Sequence, residues 1–425
     1  RGALSVGDLD GDGTIDLLAG GLYVDSYVTG GVYVSIGDGT IQGAAQDEAW
    51  LIVEGEERYN ALGAMGPVQG DQDGDGIDDL FVTGSDGGYD GSYEDRVAAA
   101  LFLSGTGHGG TVSAGEADVV VHGSLSESEN SALSHVDFDG DGLTDAFHGD
   151  WNASAESDDP KASWVWGLSG DLLSSTTAVE LGSEEDAAWS ASTSGDQLGA
   201  SLAGSDIDGD GYGDVLVGAP GLDEGAAGGG GVYLLYGGAS WHGESLADDE
   251  ASLVILGSSY KDQVGDVRAE VADIDGDSRQ DLVIAVPGDA QVTVFLDAAS
   301  LSGTLETDEA DTFVEGATTA FFGTSLATGD INADGLADLL VGAPGADEPG
   351  DAEDVGIVYL FDGSTLASGS LTTADVAATI QGTDVDEFGL GLLAVDVDID
   401  TQDDILIAAP GHGEKQGRIW FFIVP

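Results

Sequence analysis

Residues 8–16 read DLDGDGTID, and close copies return at 71–79 (DQDGDGIDD), 137–145 (DFDGDGLTD) and 206–214 (DIDGDGYGD). Three weaker copies keep the same phase: DIDGDSRQD at 273–281, DINADGLAD at 330–338 and DVDIDTQDD at 396–404. The starts lie 63, 66, 69, 67, 57 and 66 residues apart, so seven units fill the chain. Self-similarity at a long, nearly fixed period marks a repeat architecture rather than a string of unrelated domains.

Each unit has one plan. A short apolar segment enters the acidic loop, and a β-rich run leaves it, as in DVLVGAP from Asp214, DLVIAVP from Asp281 and DLLVGAP from Asp338. A Gly/Asp-rich connection leads to an alternating run such as GVYLLYGG from Gly231 or GIVYLFDG from Gly356. A fourth apolar run then closes on glycine. Short period-2 runs of Val, Ile, Leu, Tyr and Phe bounded by Gly and Asp read as strands. Four strands in each of seven units predict an all-β, seven-bladed β-propeller with four-stranded antiparallel blades, in preference to a linear solenoid. One domain covers 1–425, with blades at approximately 1–58, 59–125, 126–193, 194–260, 261–318, 319–384 and 385–425.

The chain carries 81 acidic against nine basic residues, a net charge of −72. Nucleic acid and anionic membrane surfaces would repel it, so neither is an expected partner. The acidity suits cations or basic proteins, and its general excess is equally compatible with a saline habitat. With no cysteine, any staple is something other than a disulfide. No stretch is long and apolar enough to span a bilayer. The chain opens inside a repeat, and an upstream segment is expected to have been removed.

In the nine-residue loop, acids occupy positions 1, 3, 5 and 9, with Gly usual at 6. Unpaired, such carboxylates repel by roughly 1 kcal/mol per pair at about 4 Å even in water. A bound cation reverses that sign. Clustered hard oxygens around a glycine turn suit Ca²⁺, with Mg²⁺ second because it demands a tighter octahedron. An EF-hand would need a Glu at position 12 and a helix beyond it. Position 12 is instead Ala19, Val82, His148, Val217, Ile284, Val341 and Ile407, within strand-like sequence.

The chain resembles the FG-GAP repeats of the integrin α-chain β-propeller. Residues 321–344, FFGTSLATGDINADGLADLLVGAP, hold both halves of that motif in Phe322-Gly323 and Gly342-Ala343-Pro344. Residues 198–220 are close, with Leu198 in place of Phe, and 388–410 keep Phe-Gly and end in Ala-Ala-Pro. The resemblance implies one Ca²⁺ per loop, up to seven, held by side chains at positions 1, 3, 5 and 9 and the carbonyl at 7. Carried over, the first set is Asp8, Asp10, Asp12, Thr14 and Asp16, and the second Asp71, Asp73, Asp75, Ile77 and Asp79. The third is Asp137, Asp139, Asp141, Leu143 and Asp145, and the fourth Asp206, Asp208, Asp210, Tyr212 and Asp214. The fifth is Asp273, Asp275, Asp277, Arg279 and Asp281, and the sixth Asp330, Asn332, Asp334, Leu336 and Asp338. The seventh is Asp396, Asp398, Asp400, Gln402 and Asp404. Ser278 and Thr401 stand where the turn glycine belongs, so loops five and seven are expected to bind more weakly.

In the same family, ligands approach the face opposite the calcium loops. The longest connections expected there are 84–96, 148–163 and 342–356, and Tyr89, Tyr93 and Trp151 are their aromatic candidates for a protein or glycan ligand. Asn152 begins a formal glycosylation triplet. No catalytic residue stands out: the six histidines lack ligand spacing and read as rim or turn residues, and there is no nucleophile elbow or P-loop. The resemblance therefore implies a calcium-binding, extracellular or cell-surface adhesion module. The alternatives are a calcium-rigidified structural domain of a larger surface protein, or the propeller of a secreted polysaccharide lyase or hydrolase.

The last unit ends after its third strand, GRIWFFIVP, leaving 419–424 at or beside an open edge. Flanking sequence or another chain is expected to complete this blade as a strand donor.

Overall fold

The computed structural model describes residues 3–21, 31–35, 49–54, 68–83, 97–105, 108–122, 131–151, 163–193, 195–240, 243–346, 355–367, 369–382, 387–411 and 418–424. Seven small sheets follow one another along the chain, and the fold is a seven-bladed β-propeller. Blade four is representative. Its antiparallel strands are Ser201–Ser205, Asp214–Ala219, Gly231–Leu235 and Leu253–Leu256. The second and third strands of this blade are buried throughout, which explains why they read as apolar runs rather than as an alternation. The first strand of the first blade, Ala3–Gly7, packs beside that of the last, Gly391–Val395, and closes the ring.

The blades differ from the expected four strands in one respect. In each of the first five sheets a fifth, short strand lies parallel to the fourth. It comes from the next unit, between that unit's third and fourth strands. Gly303–Glu306, for instance, pairs with Leu253–Leu256 of the preceding blade. The sixth sheet has four strands and the seventh three among the described residues. Units two to six thus each clasp the outer edge of the blade before, where an isolated blade would expose a free row of N–H and C=O groups.

The core is a set of interblade layers. Val283, Val292 and Val294 of blade five pack with Leu339, Val341 and Phe361 of blade six. Leu216, Val232 and Ile255 of blade four meet Leu282, Ile284 and Phe295 of blade five in the same manner. The paired motif halves are part of this packing. Leu198, Val264, Phe322 and Phe388 are buried plugs at the entry to blades four to seven. The glycines that follow them, Gly199, Gly265, Gly323 and Gly389, all hold φ between 84° and 90°, which a side chain rarely tolerates.

These glycines bring neighbouring blades into backbone contact. Gly323 donates its N–H to the Gly342 carbonyl within its own blade at 3.0 Å. The Gly389 carbonyl, one blade further on, lies 2.2 Å from where a Cβ on Gly342 would stand. Gly218 meets the Gly265 carbonyl at the same 2.2 Å, and Ser201 and Ser325 donate their hydroxyls to the Gly265 and Gly389 carbonyls. Gly265→Ala is the direct test, because its Cβ would stand 2.4 Å from the Gly231 carbonyl oxygen at a forbidding φ. It is expected to destabilise the protein by roughly 3 kcal/mol in chemical unfolding. A loss below roughly 0.5 kcal/mol would show that the blades need no such close approach.

Candidate metal centres and the opposite rim

Each acidic loop joins the first strand of a blade to the second, so all seven lie on one rim of the ring. The loop is first a device for satisfying its own backbone. In loop one, Asp8 accepts hydrogen bonds from the N–H groups of Gly11, Asp12 and Gly13 at 2.8–3.1 Å. Asp10 accepts from the Asp12 N–H and Asp12 from the Thr14 N–H. The same ladder recurs at Asp71, Asp73 and Asp75 and at Asp137, Asp139 and Asp141. Position 6 needs a positive φ in every loop, and Ser278 (68°) and Thr401 (81°) adopt it despite their side chains.

Position 9 has a second task. Asp16, Asp79, Asp145, Asp214, Asp281, Asp338 and Asp404 are essentially inaccessible. One carboxylate oxygen accepts from the N–H of position 2, as Asp145 does from Phe138 at 2.8 Å. Where the partner is described, the other oxygen takes an N–H just beyond the third strand: that of Ser104, Gly170, Gly237, Asp297, Gly363 or Val424, at 2.7–2.9 Å. This one side chain ties loop, second strand and third strand together.

Carboxylate oxygens of Asp8, Asp10 and Asp16 come within 4.8 Å of one another. The corresponding trios of loops two, three and five do the same, and in loop four the group is Asp206, Asp208 and Asp210. Burial pushes Asp145 up to about 7 and Asp79, Asp214 and Asp338 up to about 6, against the lowering effect of their backbone hydrogen bonds. Asp73, Asp141 and Asp208 are also raised, first by burial and then by neighbouring carboxylates. Inward-facing oxygens that resist shared negative charge suit a hard divalent cation. The acidic groups could hold metal ions.

Neighbouring loops touch. The position-8 N–H of one loop donates to the position-1 carbonyl of the loop before it, in Asp78 to Asp8, Thr144 to Asp71, Gly213 to Asp137, Ala337 to Asp273 and Asp403 to Asp330. Asp78 and Asp403 also accept the N–H of Asp8 and Asp330. Ile77, Leu143, Tyr212 and Leu336, at position 7, cover the position-4 glycine of the preceding loop so closely that a Cβ there would lie within 2.9 Å. The position-7 carbonyl is thus held from the neighbouring blade.

Several sites depart from the common form. Arg279 is more than a carbonyl donor, because its guanidinium engages Asp277 of its own loop and Asp297 beyond it. Loop five therefore carries a built-in cation against its own Asp277, in addition to Ser278. In loop six the Asn332 amide donates to Asp338 at 3.3 Å. Position 2 is apolar in six loops, and Gln72 alone buries an amide without a hydrogen-bond partner.

The opposite rim carries the turns after the second and fourth strands. Trp151 follows the second strand of blade three there and is half-buried. Tyr89, Tyr93 and Asn152 lie outside the described residues, as do His242 and His412. The structure adds two aromatics that sequence reading passed over. Tyr260 and Phe321, 68 % and 64 % exposed, lie on connections from one blade's fourth strand to the next blade's first. Lys261 stands over the Tyr260 ring, 5.1 Å from its centroid. The available signal was an aromatic on the connection leading to a plug, Phe321 immediately before Phe322 and Tyr260 a turn before Val264. His122, His135 and His148 correct the rim-or-turn reading: all three sit within strands. His148 is fully buried and stacks on Trp166, so burial drops its pKa to about 4 and keeps it neutral.

Residues 198–235 and 322–361 match the FG-GAP repeat family, and 273–341 match the FG-GAP-like repeat. The chain carries FG-GAP repeats. Among relatives, phosphatidylinositol-glycan-specific phospholipase D of Bos taurus is 30 % identical over 255 residues, covering 54 % of this chain and 30 % of that protein. Integrin alpha-PS2 of Drosophila melanogaster is 38 % identical over 108 residues, covering 24 % of this chain and 8 % of that one. The matched parts therefore span less than a third of these curated relatives. Among solved structures, the exotype rhamnogalacturonan lyase YesX aligns over 99 % of this chain and 72 % of its own, with 12 % identity and a TM-score of 0.47. The FG-GAP propeller is integrin-like in motif, and no helix among its described residues is long and apolar enough to cross a membrane.

A pH series tests the electrostatics of the FG-GAP loops. The raised carboxyls bind protons more tightly in the folded chain than in the unfolded one, where Asp titrates near 4. Their contribution to metal-free stability is therefore fully present below about pH 4 and is lost as pH rises through 6 to 7. In chelator the melting temperature should fall by several degrees between pH 5 and 8. Saturating calcium should abolish the fall. A metal-free melting temperature that rises over this range would contradict the burial account.

Proposed function

We propose that this chain is a calcium-rigidified, extracellular adhesion or ligand-binding module. Calcium stiffens one rim through the residues assigned above, and the other rim presents aromatic side chains to a protein or glycan. The carrying observation is the division of labour between rims: converging carboxylates on one, exposed Tyr260 and Phe321 and half-buried Trp151 on the other. Seven divalent ions would bring the net charge only from −72 to about −58, so electrostatics still disfavours nucleic acid and anionic lipid. Extracellular calcium, at millimolar levels, suits loops of modest affinity. Exposed rings on a rigid, polar rim suit stacking on sugars or packing against a protein.

A panel of immobilised glycans and matrix proteins, probed with and without calcium, tests this reading. Calcium-dependent, saturable binding is expected, with Tyr260→Ala and Phe321→Ala each weakening it roughly tenfold, about 1.4 kcal/mol. No ligand on either panel would favour a purely structural role within a larger protein. Turnover of a polysaccharide would replace both readings with the enzymatic one.

A further inference from the structure

The acidic loops are linked to one another along their rim, and the linkage breaks between blades four and five. In loops two, three, four, six and seven the position-8 N–H donates to the position-1 carbonyl of the loop before, at 2.6–3.2 Å. Ile77, Leu143, Tyr212 and Leu336 at position 7 also cover the position-4 glycine of that preceding loop. Loop five makes neither link with loop four. The Gln280 N–H does not reach the Asp206 carbonyl, and Gly209 has open space where the other glycines are covered.

Position 7 of loop five is Arg279, the one basic residue in any of the seven loops. Instead of leaning on loop four, its side chain turns back onto its own blade. Its Nε donates to Asp277, at position 5, at 2.8 Å, and the far end of the guanidinium engages Asp297. Asp297 lies just past the third strand and is the residue whose N–H the buried Asp281 accepts at 2.7 Å. The residues that donate the equivalent N–H in blades two, three, four, six and seven are Ser104, Gly170, Gly237, Gly363 and Val424. None of these is an acid. In loop two the Ser104 hydroxyl donates to Asp75, also at position 5, at 3.2 Å. Blade five thus replaces a neutral contact at this place by a cation held between two carboxylates. A forked guanidinium suits that bridging better than an ammonium.

We propose that Arg279 is the internal counter-ion of loop five, competing with a divalent cation for Asp277 and holding the loop without help from loop four. The proposal rests on the reading of these loops as calcium sites. For Asp277 to serve as a metal ligand it must give up the guanidinium, and the positive charge of Arg279 stays close by. A unit charge a few ångströms from a divalent ion weakens its binding by about tenfold even in water. Loop five therefore takes calcium less readily than loop four, where position 7 is the uncharged Tyr212. Without calcium the contrast reverses. The bridge from Asp277 through Arg279 to Asp297 persists, and loop five loses the least order of the two.

Amide exchange read by mass spectrometry across a calcium titration tests this, because 273–281 reports loop five and 206–214 reports loop four. In the unaltered protein 273–281 should gain protection at higher calcium than 206–214, and should lose less of it in chelator. Arg279→Gln should move the loop-five midpoint to about tenfold lower calcium, leave 206–214 unmoved and speed exchange of 273–281 in chelator. Ser278→Gly is the control for the strained turn beside it, since Ser278 holds a φ of 68°. A response at 206–214 with an unchanged Arg279→Gln midpoint at 273–281 would overturn the proposal and leave the calcium reading standing. So would a gain from Ser278→Gly as large as that from Arg279→Gln. Indifference of both segments to calcium would overturn the two together.

Discussion

A buried aspartate at the head of each second strand is the constraint on which the rest of the propeller depends. It sits where loop, second strand and third strand meet, and its two oxygens hold backbone N–H groups from both sides. A neutral amide could offer only one acceptor oxygen there, and a longer acid would displace the strands. The same burial that makes the tie useful makes its charge costly, which is why the pKa rises at Asp79, Asp145, Asp214, Asp281 and Asp338. The backbone tie and the proposed metal affinity would therefore be two consequences of one side chain.

From that point the order of the molecule spreads around the ring. Loops two, three, four and six each lean on the loop before through the position-8 N–H and the position-7 side chain, and loop seven through its N–H. On the other rim the blades meet glycine to carbonyl, at Gly218 against Gly265 and Gly342 against Gly389. Between the rims lie apolar layers shared by adjacent blades. A blade in this arrangement has no core of its own, so its stability belongs to its neighbours, as in other repeat proteins. The clasping fifth strand adds a third link at the outer edge.

What the sequence made legible was whatever repeats with strong chemistry. Acids at fixed spacing, the plug before each paired glycine and the apolar second and third strands all leave period or composition behind. The fifth strand leaves almost none. Gly303–Glu306 shows a single inward-facing side chain, and its pairing partner lies some 50 residues away. Arg279 was read by its position and not by its charge, although a cation in an acidic loop tends to find a carboxylate. Phe321 was hidden beside the plug Phe322, which is the same residue, and Tyr260 among the polar residues that lead to Val264. The histidines misled for a plain reason: a neutral imidazole can be buried as an aromatic, as His148 against Trp166 shows.

The central claim is that the repeated acidic loops are metal staples as well as backbone turns. Bound calcium per chain, measured by elemental analysis after equilibrium dialysis at millimolar calcium, tests it most directly. The account predicts close to seven ions, with loops five and seven the last to fill as dialysis calcium is raised. A chain that retains one ion or none would mean that the carboxylates serve the backbone alone.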